Sequence, residues 1–316
     1  MLRFVLRALP GRLAALSLVT TMAACSGSDA SGRAAAASPP EFDGATAMGY
    51  VRAQLAFGPR VPGTAAHRAM GDWLIAELSR RADTVVVQEW VHTTADGQRL
   101  PMRNILARFA PGAGNRVLYV AHWDSRPRSE KASTAMGRLE PVPGANDGAS
   151  GVAILLGVAD ALRARPATVG VDLLFVDGED WGDFDTLTDV LIGSRHFARN
   201  LPDPGYAPLF GVVWDLVGDA DPRFLYESHS VRAAPEVVQR VWSTARRLGH
   251  QAIFIPREYG EITDDHLPLI EAGLRVIDVI DLDYPWHHTP EDTEDKVSQR
   301  TLQIVGDVAL AVLREI

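Results

Sequence analysis

A short apolar run from Val171 to Val176 ends abruptly in the acidic sequence Asp177-Gly-Glu-Asp180. The run is long enough for a buried strand and too short for a helix. A strand that is buried on both faces lies in the middle of a parallel or mixed sheet. Because ligands of open α/β sheets bind beyond the carboxyl ends of such strands, we expect Glu179 and Asp180 to lie at an active site. Taken alone, this pair is more typical of a solvated turn at the end of a strand, so partners are needed from elsewhere in the chain.

Strands and helices alternate along the rest of the sequence. Apolar or β-branched runs predict strands at residues 84–90, 104–109, 116–121, 209–216, 223–227 and 275–281. Helical periodicity predicts helices at residues 46–57, 65–81, 146–164, 193–201, 235–248, 267–272 and 293–315. The alternation is typical of an α/β fold with a mixed, mostly parallel central sheet and helices on both faces. We expect one catalytic domain over residues 42–316.

Composition excludes some classes of function. The chain of 316 residues has a net charge of -9 and one cysteine. The acidic balance argues against nucleic-acid binding, which requires a basic surface. A single cysteine excludes an intramolecular disulfide, so disulfide bridges cannot report the compartment.

The first 25 residues have the features of a bacterial secretory signal, with positive charges up to Arg12 and then a short apolar stretch. The stretch, residues 13–24, is shorter than the roughly 20 residues of a membrane span. The small residues before Cys25 resemble a lipoprotein signal, in which this cysteine is lipidated; the alternative is plain cleavage just before it. We expect a flexible tether over residues 26–41. We also expect export to the periplasm or cell envelope, with membrane contact through a lipidated Cys25 only.

Several predicted strands end in imidazole or carboxylate side chains. Because ligands gather at the carboxyl ends of parallel strands, these groups are expected to meet at one edge of the sheet. Carboxylate and imidazole ligands with an open position are typical of catalytic zinc, and a further carboxylate beside the metal can act as general base. The groups are His122 and Asp124, Asp147, Glu179 and Asp180, Asp215, and His287 and His288.

In this order, these residues resemble the zinc-dependent aminopeptidases, with Asp147 inside Gly144-Ala-Asn-Asp-Gly-Ala-Ser-Gly151. Within that group the closer likeness is to the animal-type glutaminyl-peptide cyclotransferases, or glutaminyl cyclases. It rests on residues 175–180, 193–198, 214–218 and 262–268. The resemblance covers residues 42–316.

The resemblance implies a reaction and a set of roles. Asp147, Asp180 and His288 would bind one zinc ion, which would polarise an amide carbonyl. Glu179 would act as general acid and base. The enzyme would convert the N-terminal glutaminyl residue of a peptide to pyroglutamate and release ammonia.

The resemblance also implies a carboxylate network and a substrate pocket. Asp264 and Asp215 would share a proton with the general base, since crowded carboxylates raise one another's pKa. Ile262 and Trp286 would line the pocket. The sequence departs from the family at His287, where a tryptophan is usual. Either Trp286 takes its place as a wall of the pocket or the pocket differs, and Trp181 is another candidate for the wall. It also departs at Asp180, one methylene shorter than the usual glutamate.

Two other functions remain open. In a two-zinc aminopeptidase, Asp147 would bridge both ions, His122 and Asp215 would complete the second site, and Glu179 would activate water. The third hypothesis is a lipid-anchored binding protein whose zinc site has decayed, and retention of the whole ligand set argues against it.

Three acidic features are expected to have no chemical role. Asp265 would cap the helix that follows it, and Asp281 would solvate a loop. Residues 291–295 would solvate and cap the final helix.

Overall fold

The computed structural model describes residues 41–316. The predicted signal segment, Cys25 and nearly all of the predicted tether lie outside this range. Across residues 41–316, no helix combines the length and the apolar character that a membrane crossing requires.

The described chain alternates strands and helices as expected. The strands are β1 (Thr84–Thr93), β2 (Arg99–Phe109), β3 (Arg116–His122), β4 (Gly170–Val176), β5 (Phe210–Asp215), β6 (Phe224–Glu227), β7 (Phe254–Gly260) and β8 (Val276–Ile280). The α-helices are α1 (Gly44–Leu55), α2 (Ala65–Ser79), α3 (Ala149–Ala164), α4 (Ile192–Arg199), α5 (Ser228–Ala233), α6 (Pro235–Arg247), α7 (His266–Glu271) and α8 (Gln299–Arg314).

A central sheet contains six strands in the order β1-β2-β4-β3-β5-β8. Strands β4, β3, β5 and β8 run parallel, whereas β1 pairs with β2, and β2 with β4, in antiparallel register. Strand β4 therefore lies inside the sheet, between β2 and β3. The predicted fold class, a mixed and mostly parallel α/β sheet with helices on both faces, is confirmed.

Alternate residues of the central strands enter two hydrophobic cores, because successive side chains of a strand point to opposite faces. In β3, Val117, Tyr119 and Ala121 belong to the core that includes α1, α2, α3, α6 and α8. Leu118 and Val120 belong to the core on the other face, with α4 and α7. Because the parallel strands are buried on both faces, their sequences are continuous apolar runs.

Strand β7 and helix α5 were not predicted from the sequence, and the final helix begins later than predicted. Strand β7 contains Pro256 and several exposed side chains, so it lacks the apolar pattern of a strand and depends on its pairing with β6. The final helix begins at Gln299 rather than at residue 293. Ser298 caps it by accepting a hydrogen bond from the Thr301 N–H, so the prediction that residues 291–295 cap this helix is wrong.

The antiparallel hairpin β1–β2 contacts the loop between β4 and α4. His92 Nε2 lies 2.7 Å from Asp189 Oδ1, and the Ala95 N–H donates to Asp189 Oδ2 at 2.8 Å. Leu187, Asp189 and Leu191 all have φ near +55°, a left-handed conformation that is uncommon for residues other than glycine. The hairpin thus holds a loop whose backbone is strained.

Asp172 is a fully buried carboxylate near the start of β4. Arg116 donates to it through Nε at 2.6 Å and Nη2 at 2.8 Å, and Arg108 Nε donates at 3.2 Å. The Tyr206 hydroxyl donates at 2.9 Å. Because the arginines belong to β3 and β2, this ion cluster joins three neighbouring strands.

We expect Asp172→Asn to lower the free energy of unfolding by about 3–5 kcal/mol, because it leaves the Arg116 charge buried without its counter-ion. Asp203→Asn is the matched control. It removes a half-exposed carboxylate that pairs with Arg108, and it should cost at most about 1 kcal/mol. Urea unfolding of both variants measures the difference, and equal losses would contradict the importance of the buried cluster.

Candidate active site

The parallel strands bring the predicted site residues to one edge of the sheet. His122 is the last residue of β3 and Asp215 the last of β5. Glu179 and Asp180 follow β4, and His288 lies in the loop after β8. Residues that are distant in sequence therefore meet where the carboxyl ends of these strands converge.

Asp147, just before α3, lies between the two histidines. Its Oδ1 is 3.2 Å from His122 Nε2, and its Oδ2 is 3.7 Å from His288 Nε2. His288 Nε2 is also 3.2 Å from Asp180 Oδ1, and His122 Nε2 is 3.2 Å from Asp215 Oδ1. All five side chains are buried. The residues predicted for one zinc ion and those predicted for a second ion are therefore adjacent.

The donor atoms of this site fit a metal ion. Asp147 Oδ2 and Asp180 Oδ2 are buried without a hydrogen-bond partner within residues 41–316, which is costly for a carboxylate unless a cation binds it. Imidazole and carboxylate are ligands that zinc accepts. Within residues 41–316, three groups of side chains place their ligand atoms within 4.8 Å of one another: His122 with Asp147 and Asp215, Asp147 with His287 and His288, and Asp264 with His266 and Asp278. The first two share Asp147.

Glu179 lies next to these groups and lines the adjoining cavity. Its side chain makes no hydrogen bond or ion pair with the residues that the structure describes. Burial, followed by the negative charge of Asp180, raises the pKa of Glu179 well above its ordinary value. A carboxyl group that faces a cavity and is easily protonated is suited to proton transfer.

Asp264 lines the same cavity. Burial and then the charge of Asp215 raise the pKa of Asp264 to about 6, and its Oδ1 accepts a hydrogen bond from the Asp265 N–H. Two carboxyl groups with elevated pKa, Asp264 and Glu179, therefore face one space. The structure places both predicted members of the network, Asp264 and Asp215, at this cavity.

Two acidic residues are more buried than the sequence indicated. Asp265 occupies the N-cap position of α7 but makes no capping hydrogen bond, because its backbone is already helical (φ -54°, ψ -21°). Its side chain is fully buried. Asp281 is also buried, where it accepts a hydrogen bond from the Arg223 N–H at 3.1 Å. The predictions of a helix cap and of loop solvation are wrong for these two residues.

Asp124 orients the segment that carries Glu179 and Asp180. Its Oδ1 accepts a hydrogen bond from the Glu179 N–H, and its Oδ2 from the Asp180 N–H, both at 3.2 Å. The carboxylate is fully buried. The sequence identified Asp124 by its position after β3 but gave it no role, and its bonds to two backbone amides supply one.

Arg126 and Glu130 contact the candidate metal ligands Asp180 and His288 and were not predicted from the sequence. Arg126 Nη1 donates to Asp180 Oδ1 at 2.8 Å, and Arg126 Nε donates to Glu130 Oε2 at 2.7 Å. Glu130 Oε1 lies 2.5 Å from His288 Nδ1. A carboxylate on one ring nitrogen orients the imidazole and leaves the other nitrogen for a metal.

Asp292 fixes the backbone at Asp147. Its carboxylate accepts hydrogen bonds from the N–H groups of Asn146 and Asp147, at 2.9 and 3.1 Å, and from the Tyr284 hydroxyl at 2.7 Å. Burial and then the charge of Asp147 raise the pKa of Asp292 to about 7. Asp292 is fully buried, so the prediction that this acidic run serves solvation is wrong for it.

A cavity of about 460 Å³ opens onto the site. Its apolar lining includes Phe184, Leu216, Ile262, Ile280 and Leu282, so Ile262, which was predicted to line a substrate pocket, lies at this cavity. The polar lining includes Asp147, His288, Glu179, Asp215 and Asp264, but neither His122 nor Asp180. The cavity therefore joins an apolar wall to a wall of carboxyl and imidazole groups.

Trp286, predicted to line this cavity, does not. Its side chain is 37% exposed, and Lys296 Nζ lies 4.8 Å from the centre of its ring. The Thr289 N–H and hydroxyl both donate to the Trp286 carbonyl, and the resulting turn carries His287 and His288 to the cavity instead. A shift of one residue along this tight turn thus determines whether a side chain points to solvent or to the cavity.

Comparison with known proteins gives a consistent result. Residues 104–313 match the family described as Peptidase family M28. The chain is 32% identical to the glutaminyl-peptide cyclotransferase-like protein of Mus musculus over 251 residues, 68% of this chain and 61% of that protein. It therefore spans less than two thirds of the length of this relative.

Two solved structures are similar over most of the chain. A Zn-dependent exopeptidase from Parabacteroides distasonis is 38% identical with a TM-score of 0.85, covering 88% of this chain and 100% of that one. The glutaminyl cyclase of Bacteroides thetaiotaomicron, solved with N-acetylhistamine bound, is 35% identical with a TM-score of 0.84, covering 88% and 99%. The resemblance seen in the sequence motifs is confirmed.

We expect Glu130→Ala to weaken zinc binding by about 10- to 100-fold, because His288 loses the carboxylate that orients its ring. Glu140→Ala, in the same loop, removes an exposed glutamate whose side chain makes no hydrogen bond with any described residue and should leave zinc affinity unchanged. Competition titration against a chelator measures both affinities. Equal affinities in the two variants would contradict an orienting role for Glu130.

Proposed function

The chain belongs to Peptidase family M28, and we propose that it is a zinc-dependent glutaminyl-peptide cyclotransferase. The observation that carries the proposal is Glu179, a buried carboxyl group that faces the cavity beside the metal ligands without being engaged by another side chain. The similarity to structures named glutaminyl cyclase supports it. The substrate would be a peptide with a free N-terminal glutaminyl residue.

Asp147, Asp180 and His288 are the residues that would hold the zinc ion. Their side chains converge, and two of their carboxylate oxygens lack partners within residues 41–316. When bound, zinc would polarise the side-chain amide carbonyl of the substrate. Arg126 would hold the shorter Asp180 side chain in place through the hydrogen bond at 2.8 Å.

Glu179 would move the proton that cyclisation requires. The substrate α-amine attacks the side-chain amide carbon, and a carbon–nitrogen bond forms to close a five-membered ring. Glu179 accepts a proton from the attacking nitrogen and returns it to the amide nitrogen, whose bond to carbon then breaks to release ammonia. The products are the pyroglutamyl peptide and ammonia, with no net change in the enzyme.

Asp264 and Asp215 would share one proton with Glu179, so that Glu179 can be ionised when it accepts the proton of the α-amine. Buried carboxylates that lie close together cannot all ionise, so they share protons. The raised pKa of both Glu179 and Asp264 reflects this crowding and their burial. The apolar wall with Ile262 and Phe184 would exclude water from the reacting amide, which favours attack by the amine over hydrolysis.

A two-metal aminopeptidase is the second candidate, and one observation favours it. Asp147 directs one oxygen toward His122 and the other toward His288, and His122, Asp147 and Asp215 can hold a metal ion as a group. With two ions, Glu179 would instead activate a water molecule that attacks a peptide carbonyl. The similar Zn-dependent exopeptidase of Parabacteroides distasonis makes this the rival to test.

We expect the purified protein to release ammonia from an N-terminal Gln peptide without creating new amino termini, and to leave a Leu-anilide intact. Zinc analysis should give one ion per chain. Glu179→Gln should retain zinc and lose at least about 100-fold in kcat, because it removes the proton carrier. Glu271→Gln, an exposed residue outside the cavity, is the control. Leu release at two zinc ions per chain would overturn the proposal in favour of the peptidase.

We also propose that the chain is exported and held at the membrane by a lipid on Cys25. The support is the order of basic residues, a short apolar stretch and small residues before this cysteine. Cys25→Ala should move the protein from the detergent-extracted membrane fraction to the soluble fraction, as followed by immunoblot. Unchanged membrane association would contradict the anchor.

A further inference from the structure

Two consecutive residues of one loop, Glu130 and Lys131, contact two consecutive histidines at the cavity. Glu130 Oε1 lies 2.5 Å from His288 Nδ1, and Lys131 Nζ lies 2.8 Å from His287 Nδ1. The Lys131 N–H also donates to the His288 carbonyl at 3.2 Å. The loop with Glu130 and Lys131 therefore runs beside the loop with His287 and His288. The acidic side chain faces one imidazole and the basic side chain faces the other.

The opposite charges require opposite tautomers. A carboxylate accepts hydrogen bonds, so His288 Nδ1 carries the proton and His288 Nε2 keeps a lone pair for a metal. An ammonium group only donates, so His287 Nδ1 must be the acceptor. Neutral imidazole then carries its proton on Nε2, and His287 presents an N–H group.

His287 is placed where such a donor can reach the substrate. It lines the cavity, and one of its ring nitrogens lies within 4.8 Å of an Asp147 oxygen and a His288 nitrogen. Its Nε2 has no hydrogen-bond partner within the described residues. Lys131 donates to Nδ1, so neither nitrogen of His287 offers a lone pair to a metal, although the distances alone would allow ligation.

We propose that Lys131 is a positioning residue that holds His287 as an Nε2–H donor to the carbonyl oxygen of the substrate amide under attack. The proposal deepens the function proposed above and rests on it for the identity of that amide. The donor adds to the polarisation supplied by the metal, because a fixed N–H group aimed at developing negative charge stabilises the transition state. Tryptophan, usual at this position in the resembling family, likewise offers only a ring N–H donor.

The choice of lysine is itself unusual in this chain. Lys131 and Lys296 are its only lysines among 31 Lys and Arg residues. An ammonium is a compact point charge, whereas a guanidinium is a planar fork suited to carboxylates. The compact cation suits a single contact with one ring nitrogen, and Lys296, which lies over the exposed Trp286 ring, provides a matched control position.

The first test reads the tautomer directly. We expect the ¹⁵N spectrum of the zinc-loaded protein to show His287 Nε2 with an attached proton and His287 Nδ1 without one, the signals being assigned by comparison with His287→Gln. In Lys131→Glu the two nitrogens should exchange roles, because a carboxylate then faces Nδ1. The proposal would be overturned if His287 Nε2 in the unmodified protein lacked a proton or had the ¹⁵N chemical shift of a metal-bound nitrogen.

The second test is kinetic. Lys131→Met should retain zinc and lose about 10- to 100-fold in kcat/KM, mostly in kcat, as expected for one lost donor in the transition state. Lys131→Arg should restore most of the loss, since it still donates to Nδ1, and Lys296→Met should match the unmodified protein. Unchanged kinetics in Lys131→Met would overturn the proposal.

The two tests separate this proposal from the proposed function. If the unmodified protein cleaves Leu-anilide and does not cyclise Gln peptides, the proposed function fails while the ¹⁵N result on His287 still stands. If Gln peptides are cyclised and His287 Nε2 lacks its proton, the cyclase is retained and the role of Lys131 is lost.

Discussion

The burial of several carboxyl groups at one edge of the sheet is the constraint to which the rest of the site responds. Asp147, Glu179, Asp215 and Asp264 are buried and line a single cavity, and the buried Asp180 contacts His288 of the same cavity. Charges of like sign in a medium of low polarity must be offset by cations or neutralised by protons. In this site, some carboxyl groups lie beside cations and others have a raised pKa. The chemical role of each carboxyl group depends on which of these two cases applies to it.

Asp180 and Glu179, adjacent in sequence, illustrate the division. Burial acts to raise the pKa of Asp180, but the charges of His288 and Arg126 lower it well below its ordinary value, so it stays ionised and able to bind a cation. Glu179 has no such partner, and burial and the charge of Asp180 raise its pKa instead. Environments that push two neighbouring pKa values apart support the proposed roles of Asp180 as a metal ligand and Glu179 as the proton carrier.

Much of this arrangement could be predicted from the sequence, because it follows from strand direction. Asp215 and His122 are the last residues of parallel strands. To predict that they lie close together, it was enough to predict that the apolar runs form one sheet. Asp124 and Asp292 could not be assigned roles in advance. Their partners are backbone N–H groups whose direction depends on loop conformation, which side-chain pattern does not encode. Trp286 was misplaced for the same reason, since the turn that Thr289 closes on the Trp286 carbonyl depends on loop conformation.

The hairpin β1–β2 contributes no residue to the cavity, yet it bears on how the enzyme could vary. Asp189 ties the hairpin to the loop that carries Phe184, and that loop keeps three left-handed residues. Because such a backbone persists only where its surroundings hold it, substitutions at His92 or Ala95 would alter the loop that carries Phe184. The inner part of the hairpin is different, since Arg103 and Asn104 hydrogen-bond to Asp177, two residues before Glu179. The tip of the hairpin could therefore change the apolar wall in evolution, while β2 and the parallel strands preserve the segment that carries Glu179 and Asp180.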